Sequence, residues 1–98
     1  MQTESNRIGF LSDLQDLLET RKSDRPEGSY TTRLFDKGTD KIAQKVGEEA
    51  VETVIAAKNN NEELRYEASD LLFHLMVLLT DRGMRIEDLV SELKSRHK

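Results

Sequence analysis

The sequence predicts an all-α fold, a small bundle of about four helices, on three observations. Apolar residues recur at helical spacing along most of the 98-residue chain. One Pro, five Gly and no Trp argue against a loop-rich β-sandwich. The breaks between periodic stretches are short, so neighbouring helices should pack antiparallel. The length fits a single domain over 1–98.

Phe10, Leu11, Leu14, Leu17 and Leu18 give helical spacing for a first helix over about 8–22. Arg25-Pro26-Glu27-Gly28 breaks the chain. Ser29–Gly38 then reads as an ordered loop, because Tyr30, Leu34 and Phe35 need cover. Thr39 is a candidate N-cap, with Asp40 in the first turn, for a helix running to Lys58. Asn59-Asn60-Asn61 stops that helix and caps the next, which begins at Glu62-Glu63 and ends near Arg82 with Gly83 just beyond. A last helix carries Ile86, Leu89, Val90 and Leu93, and His97 belongs to the tail.

Composition excludes several classes of function. With no Cys there is no disulfide, thiolate metal site or cysteine nucleophile, which fits a reducing cytoplasm. Fifteen Lys and Arg against nineteen Asp and Glu leave a net charge of −4, with no basic stretch, so nucleic acid is a poor partner. The opening MQTESNRIGF is not followed by the apolar core of a secretory leader. The longest apolar run, Leu71–Leu79, is interrupted by His74 and is too short to span a bilayer. A soluble cytoplasmic protein is expected.

The acids are placed rather than scattered. At about 100° per residue, Lys41, Lys45, Glu48, Glu49 and Glu52 share one arc of the 39–58 helix, with apolar residues on both flanks. Glu63, Glu67, Asp70 and His74 share an arc of roughly 60° on the following helix. From Ala68 onward that helix is apolar nearly all round, which predicts burial nearly all round. Two acidic pairs at i, i+3, Glu49/Glu52 and Glu67/Asp70, can therefore face each other across an antiparallel hairpin.

Like charges about 4 Å apart repel by about 4 kcal/mol at an effective dielectric near 20. Gathering them gives no stability, whereas a hard divalent cation wants oxygen ligands; Mg²⁺ is the expected ion, with Mn²⁺ as the alternative. A lone Glu-x-x-Glu is usually a solvated face; two such pairs together in apolar surroundings are not. Lys45 reads equally well as an i, i+4 partner of Glu49 and as a contact for an anionic substrate. His74 reads as a polar side chain orienting Asp70 from behind rather than as a ligand.

These residues carry a resemblance. Ser29-Tyr30-Thr31, Leu34-Phe35-x-Lys37-Gly38, Lys45-Val46-Gly47-Glu48-Glu49-x-x-Glu52, Ala56-Ala57-Lys58 and Glu67-x-x-Asp70-Leu71-Leu72-x-His74 resemble the signature of the phosphoribosyl-ATP pyrophosphatases. That family lies within the all-α nucleoside triphosphate pyrophosphatase (MazG-like) superfamily. The likeness runs from about Ser29 to Leu93. It implies Mg²⁺-dependent hydrolysis of 1-(5-phosphoribosyl)-ATP to 1-(5-phosphoribosyl)-AMP and diphosphate, the second step of histidine biosynthesis. It further implies that Glu49, Glu52, Glu67 and Asp70 hold one or two ions, with Glu48 a further ligand or the general base. Lys37, Lys41 and Lys45 would meet phosphate oxygens, and Tyr30, Thr31 and Arg33 the rest of the substrate.

The superfamily also implies oligomers. Val51, Ile55 and the apolar faces of the 62–82 helix exceed what one small bundle can cover, so a homodimer or higher homo-oligomer is expected. Two rival readings remain at this stage. One is a house-cleaning hydrolase of non-canonical or deoxynucleoside triphosphates, against which the SYT…LF.KG string argues. The other is a non-enzymatic metal-binding scaffold, against which stands the Asp70-x-x-x-His74 spacing, because di-iron bundles use Glu-x-x-His.

Overall fold

The computed structural model describes residues 4–97, with side chains from Arg7 onward. Those residues form five α-helices and no strand: α1 (Glu4–Asp24), α2 (Tyr30–Lys37), α3 (Thr39–Ala57), α4 (Asn61–Asp81) and α5 (Ile86–Arg96). The fold is all-α as expected, with one helix beyond the four read from sequence. The single domain expected over 1–98 takes in residues 1–3 and 98, which lie outside the described residues. No helix among the described residues is long and apolar enough to cross a membrane.

The additional helix is α2, where an ordered loop was expected. Ser29 caps it by accepting a hydrogen bond from the Thr32 amide. Gly38 ends it, its amide donating to the Leu34 and Phe35 carbonyls. Gly38 has φ 92°, a conformation that suits a residue without Cβ, and the same glycine is the N-cap of α3. Thr39, expected as that cap, is instead the first helical residue, and its hydroxyl donates to the Asp81 carboxylate at the far end of α4. Thr31, Thr32, Leu34 and Phe35 are buried, so tertiary cover holds eight residues helical where propensity alone would not.

The core consists of Leu18, Leu34, Phe35, Ile42, Met76 and Val77, with Leu11, Leu14, Leu72, Phe73, Leu78 and Ile86 packed against it. On α1, Phe10 and Leu17 face outward, contrary to the expected apolar stripe, and the fully buried Gln15 lies inside. Its amide nitrogen donates to the Thr80 hydroxyl at 2.6 Å, and its carbonyl oxygen accepts from the Ile86 amide at 2.8 Å. With both ends satisfied, one polar side chain joins α1, α4 and α5 at no net desolvation cost. Lys22 donates to the last carbonyls of α4, those of Thr80 and Asp81.

The most extensive packing is between α3 and α4. The connection is short because Asn60 caps α4, accepting from the Glu63 amide at 2.8 Å. At its other end α4 closes with a Schellman turn: the Gly83 amide donates to Thr80 and the Met84 amide to Leu79, with Gly83 at φ 78°. The C-terminal half of α4 is buried at His74, Met76, Val77, Leu79 and Thr80. Leu71, Leu72, Phe73, Leu75 and Leu78 are only half-buried, so the expected burial nearly all round is incomplete within one chain.

Candidate metal centre and anion cleft

The α3–α4 hairpin places the acidic pairs against each other. Carboxylate oxygens of Glu49, Glu52 and Glu67 all lie within 4.8 Å of one another, a spacing that one cation can bridge. Glu49 is only 6% exposed, and its Oε2 is buried without a hydrogen-bond partner. The nearest cation, the Lys45 ammonium, stands 3.8 Å from the other oxygen, Oε1. An unpartnered buried carboxylate oxygen is costly unless a proton or a cation meets it.

The electrostatics agree. Burial raises the Glu49 carboxyl above its usual range, and the nearby Glu52 and Asp70 raise it further. Glu67 is raised by its own partial desolvation, then by Glu52 and Asp70. Asp70 is thus part of the same negative field, although it is not among the three acids in bridging distance.

Glu48 stands apart from this cluster. It is exposed and accepts from the Gln44 amide at 2.9 Å, with the Lys45 ammonium 3.5 Å away. The Gln44 hydrogen bond, followed by Lys45 and Lys41, outweighs its slight desolvation and holds it below the usual carboxylate range. Glu48 belongs instead to a neighbouring cleft of about 230 Å³, lined by Tyr30, Leu34, Lys37, Lys41, Gln44, Lys45 and Glu48. All three lysines expected to meet phosphate are therefore in one place. Lys45 is the link between the two sites: it lines the cleft and reaches back to Glu49. Burial would lower its pKa, but Tyr30, Glu48 and Glu49 prevail and raise it, so it stays charged.

Of the three α2 residues expected at the substrate, the structure brings one into the cleft. Tyr30 lines it and is 42% exposed. Thr31 is 8% exposed, packs into the interior and does not line the cleft. Arg33 lies with its guanidinium carbon 5.7 Å from the Tyr30 ring centroid and donates to the Gly28 carbonyl. His74, expected behind the Asp70 carboxylate, bonds the Asp70 main-chain carbonyl through Nδ1 and the Tyr30 hydroxyl through Nε2, both at 2.8 Å. Its contact is with Tyr30, not with the acid. Gln44 escaped the sequence reading, yet it lies only about 40° from Glu48 on the helical wheel, and that proximity was the available signal.

Comparison with known proteins adds an independent line. Residues 11–97 match the phosphoribosyl-ATP pyrophosphohydrolase family. The chain is 57% identical over 87 residues to the phosphoribosyl-ATP pyrophosphatase of Listeria innocua, covering 89% of this chain and 84% of the relative. It is 59% identical over 76 residues to the protein of the same name from Leuconostoc mesenteroides, covering 78% and 67%. It is also 61% identical over 91 residues to the histidine biosynthesis bifunctional protein HisIE of Bacteroides thetaiotaomicron, covering 92% of this chain and 45% of that relative. The chain thus spans about half the length of the bifunctional relatives it matches.

Proposed function

This chain belongs to the phosphoribosyl-ATP pyrophosphohydrolase family, and from that premise we propose that it hydrolyses 1-(5-phosphoribosyl)-ATP to 1-(5-phosphoribosyl)-AMP and diphosphate, the second step of histidine biosynthesis. The observation that carries this reading is the buried, unpartnered Oε2 of Glu49 beside Glu52 and Glu67. A group of hard oxygen donors with a raised proton affinity and no protein cation to saturate it suits Mg²⁺.

In this reading Glu49, Glu52 and Glu67 hold the ion, and Asp70 completes the set from the next turn of α4. When bound, the ion supplies charge neutralisation at the phosphates and polarises the attacking water. The chain's own residues position the substrate. Lys37, Lys41 and Lys45 offer three ammonium groups on one wall, where they stabilise the charge that spreads over phosphate oxygens as the anhydride opens. Glu48, ionised and engaged with Gln44 and Lys45, orders those cations. Its lowered proton affinity makes it a poorer general base than the carboxylates of the cluster.

We place this reaction in the cytoplasm and in a homodimer. Val51, Val54 and Ile55 lie on one face of α3 and are more than half exposed, a contiguous apolar face that a second chain would cover. Light scattering should give a mass of at least twice 11.3 kDa; a stable monomer would refute the dimer. The decisive assay incubates the protein with phosphoribosyl-ATP and Mg²⁺ and measures diphosphate, alongside ATP and a panel of deoxynucleoside triphosphates. Turnover confined to phosphoribosyl-ATP is expected. Equal turnover of the deoxynucleotides would replace this reading with that of a house-cleaning hydrolase.

A further inference from the structure

His74 is 5% exposed and has a hydrogen-bond partner at each ring nitrogen. The Asp70 main-chain carbonyl can only accept, so Nδ1 must carry a proton and donate it. In the neutral ring Nε2 is then an acceptor, and the Tyr30 hydroxyl is the donor to it. The ring is braced edge-on by Phe73, with centroids 5.3 Å apart, and meets Tyr30 edge-on at 5.9 Å. Tyr30 begins α2, the helix that forms one wall of the cleft, while His74 lies on α4, which carries half of the acids.

A phenol has one proton. If His74 takes it, the Tyr30 oxygen has only lone pairs left for the cleft, where the lysines supply donors. We propose that His74 is a positioning residue that fixes the polarity of Tyr30, leaving its oxygen an acceptor that cannot donate to phosphate and that selects a ligand bearing a hydroxyl or amino donor there. Phosphate oxygens are left to the lysines. This inference rests on the proposed pyrophosphohydrolase reading for its substrate, though not for its geometry.

The test compares Tyr30→Phe, His74→Phe and His74→Gln, the last restoring an acceptor at the reach of Nε2. Tyr30→Phe and His74→Phe should each raise KM for phosphoribosyl-ATP by about five-fold, the scale of one neutral hydrogen bond, with kcat little changed. Inhibition by tripolyphosphate, which has phosphate oxygens and no sugar or base, should be unaltered in both. His74→Gln should recover most of the KM, and the double Phe variant should be no worse than either single one. A fall in kcat at constant KM would overturn the proposal by placing His74 with the carboxylates. Weakened tripolyphosphate inhibition, or His74→Gln no better than His74→Phe, would also overturn it. If the unaltered protein releases no diphosphate, the proposed function fails, and ¹⁵N NMR of the imidazoles decides the positioning by itself. That spectrum should show Nδ1 protonated, with the Nε2 resonance moved by Tyr30→Phe; a ring protonated only at Nε2 would refute it. Tyr30 is half exposed, so its Phe variant keeps the test open should a His74 variant fail to fold.

Discussion

Two regions of the molecule gather charge, and they handle it in opposite ways. At the junction of α1 and α5, Arg85 reaches Glu19 at 2.7 Å, Asp16 at 2.9 Å and Glu87 at 3.0 Å. Glu87 also accepts from the Ser12 hydroxyl at 2.6 Å. Each acid there has a donor, and the result is a mutual reinforcement: Arg85 and Ser12 hold Glu87 down at about 2, while the Glu87 hydrogen bond leads in raising Arg85 above the usual guanidinium range. At the α3–α4 hairpin three carboxylates share a small volume, with a single ammonium 3.8 Å from one of them. The first arrangement lowers the free energy of the fold. The second raises it, and a fold keeps such a cluster when a ligand resolves it.

The sharpest way to break this contrast is Glu49→Gln. Activity should fall by ~100-fold or more, at or beyond what losing a ligand-orienting partner costs. The thermal midpoint should hold or rise, because a crowded charge has been removed. Retained turnover with a large loss of stability would make the cluster structural.

Arg85→Met tests the other region. It leaves Asp16, Glu19 and Glu87 without their shared cation, so the midpoint should drop by several degrees while kcat/KM stays within about two-fold. Comparable damage to activity would mean that the two regions are not independent.

The smallest effect is in the pH dependence, where the regions should have opposite signs. Folding raises the proton affinity of Glu49 and Glu67 through burial and Glu52. Their contribution is present below the unfolded carboxylate value and is lost as pH rises through the raised values. Glu87 is depressed, so its contribution is present above the unfolded value and lost as pH falls toward about 2. In EDTA the midpoint should therefore decline modestly as pH rises above the unfolded carboxylate value, and saturating Mg²⁺ should remove that decline. Differential scanning fluorimetry across that range is the measurement. An identical slope with and without Mg²⁺ would separate the carboxylates from any metal.

What was legible in the sequence was local. The hairpin, its Asn cap, the Gly83 stop and the acid pairs depend on residues one to four apart, which a wheel or a capping rule can read. The helix α2 was missed because Thr31 and Thr32 weaken its propensity and its stability comes from cover by distant elements. The role of Gln15 could not be read locally, because its partners Thr80 and Ile86 are more than sixty residues away. The Arg85 network joins α1 to α5 across a comparable separation. At the site, the acids with Lys41 and Lys45 were legible as faces of α3 and α4, whereas Lys37, at the end of α2, entered only through the family resemblance. The direction in which His74 points was not, because it depends on where α2 crosses.

The turn between α3 and α4 has one more consequence, for how the chain can change length. Surface connections usually accept insertions at little cost. Here the hairpin sets Glu49 and Glu52 of α3 against Glu67 of α4, their carboxylate oxygens within 4.8 Å of one another, with Asp70 in the same negative field. All three turn amides are committed, Lys58 to Ile55 and both Asn59 and Asn60 to Ala56, while the Asn60 side chain caps Glu63. Such a turn has no slack to absorb an added residue. An insertion that extended either helix would shift one acid pair past the other by about 1.5 Å and rotate it by about 100°, whereas metal coordination tolerates only about 0.2 Å. A three-residue connection on the surface is thereby as length-constrained as the core, and insertions are better tolerated between Asp24 and Ser29, where no acid register is at stake.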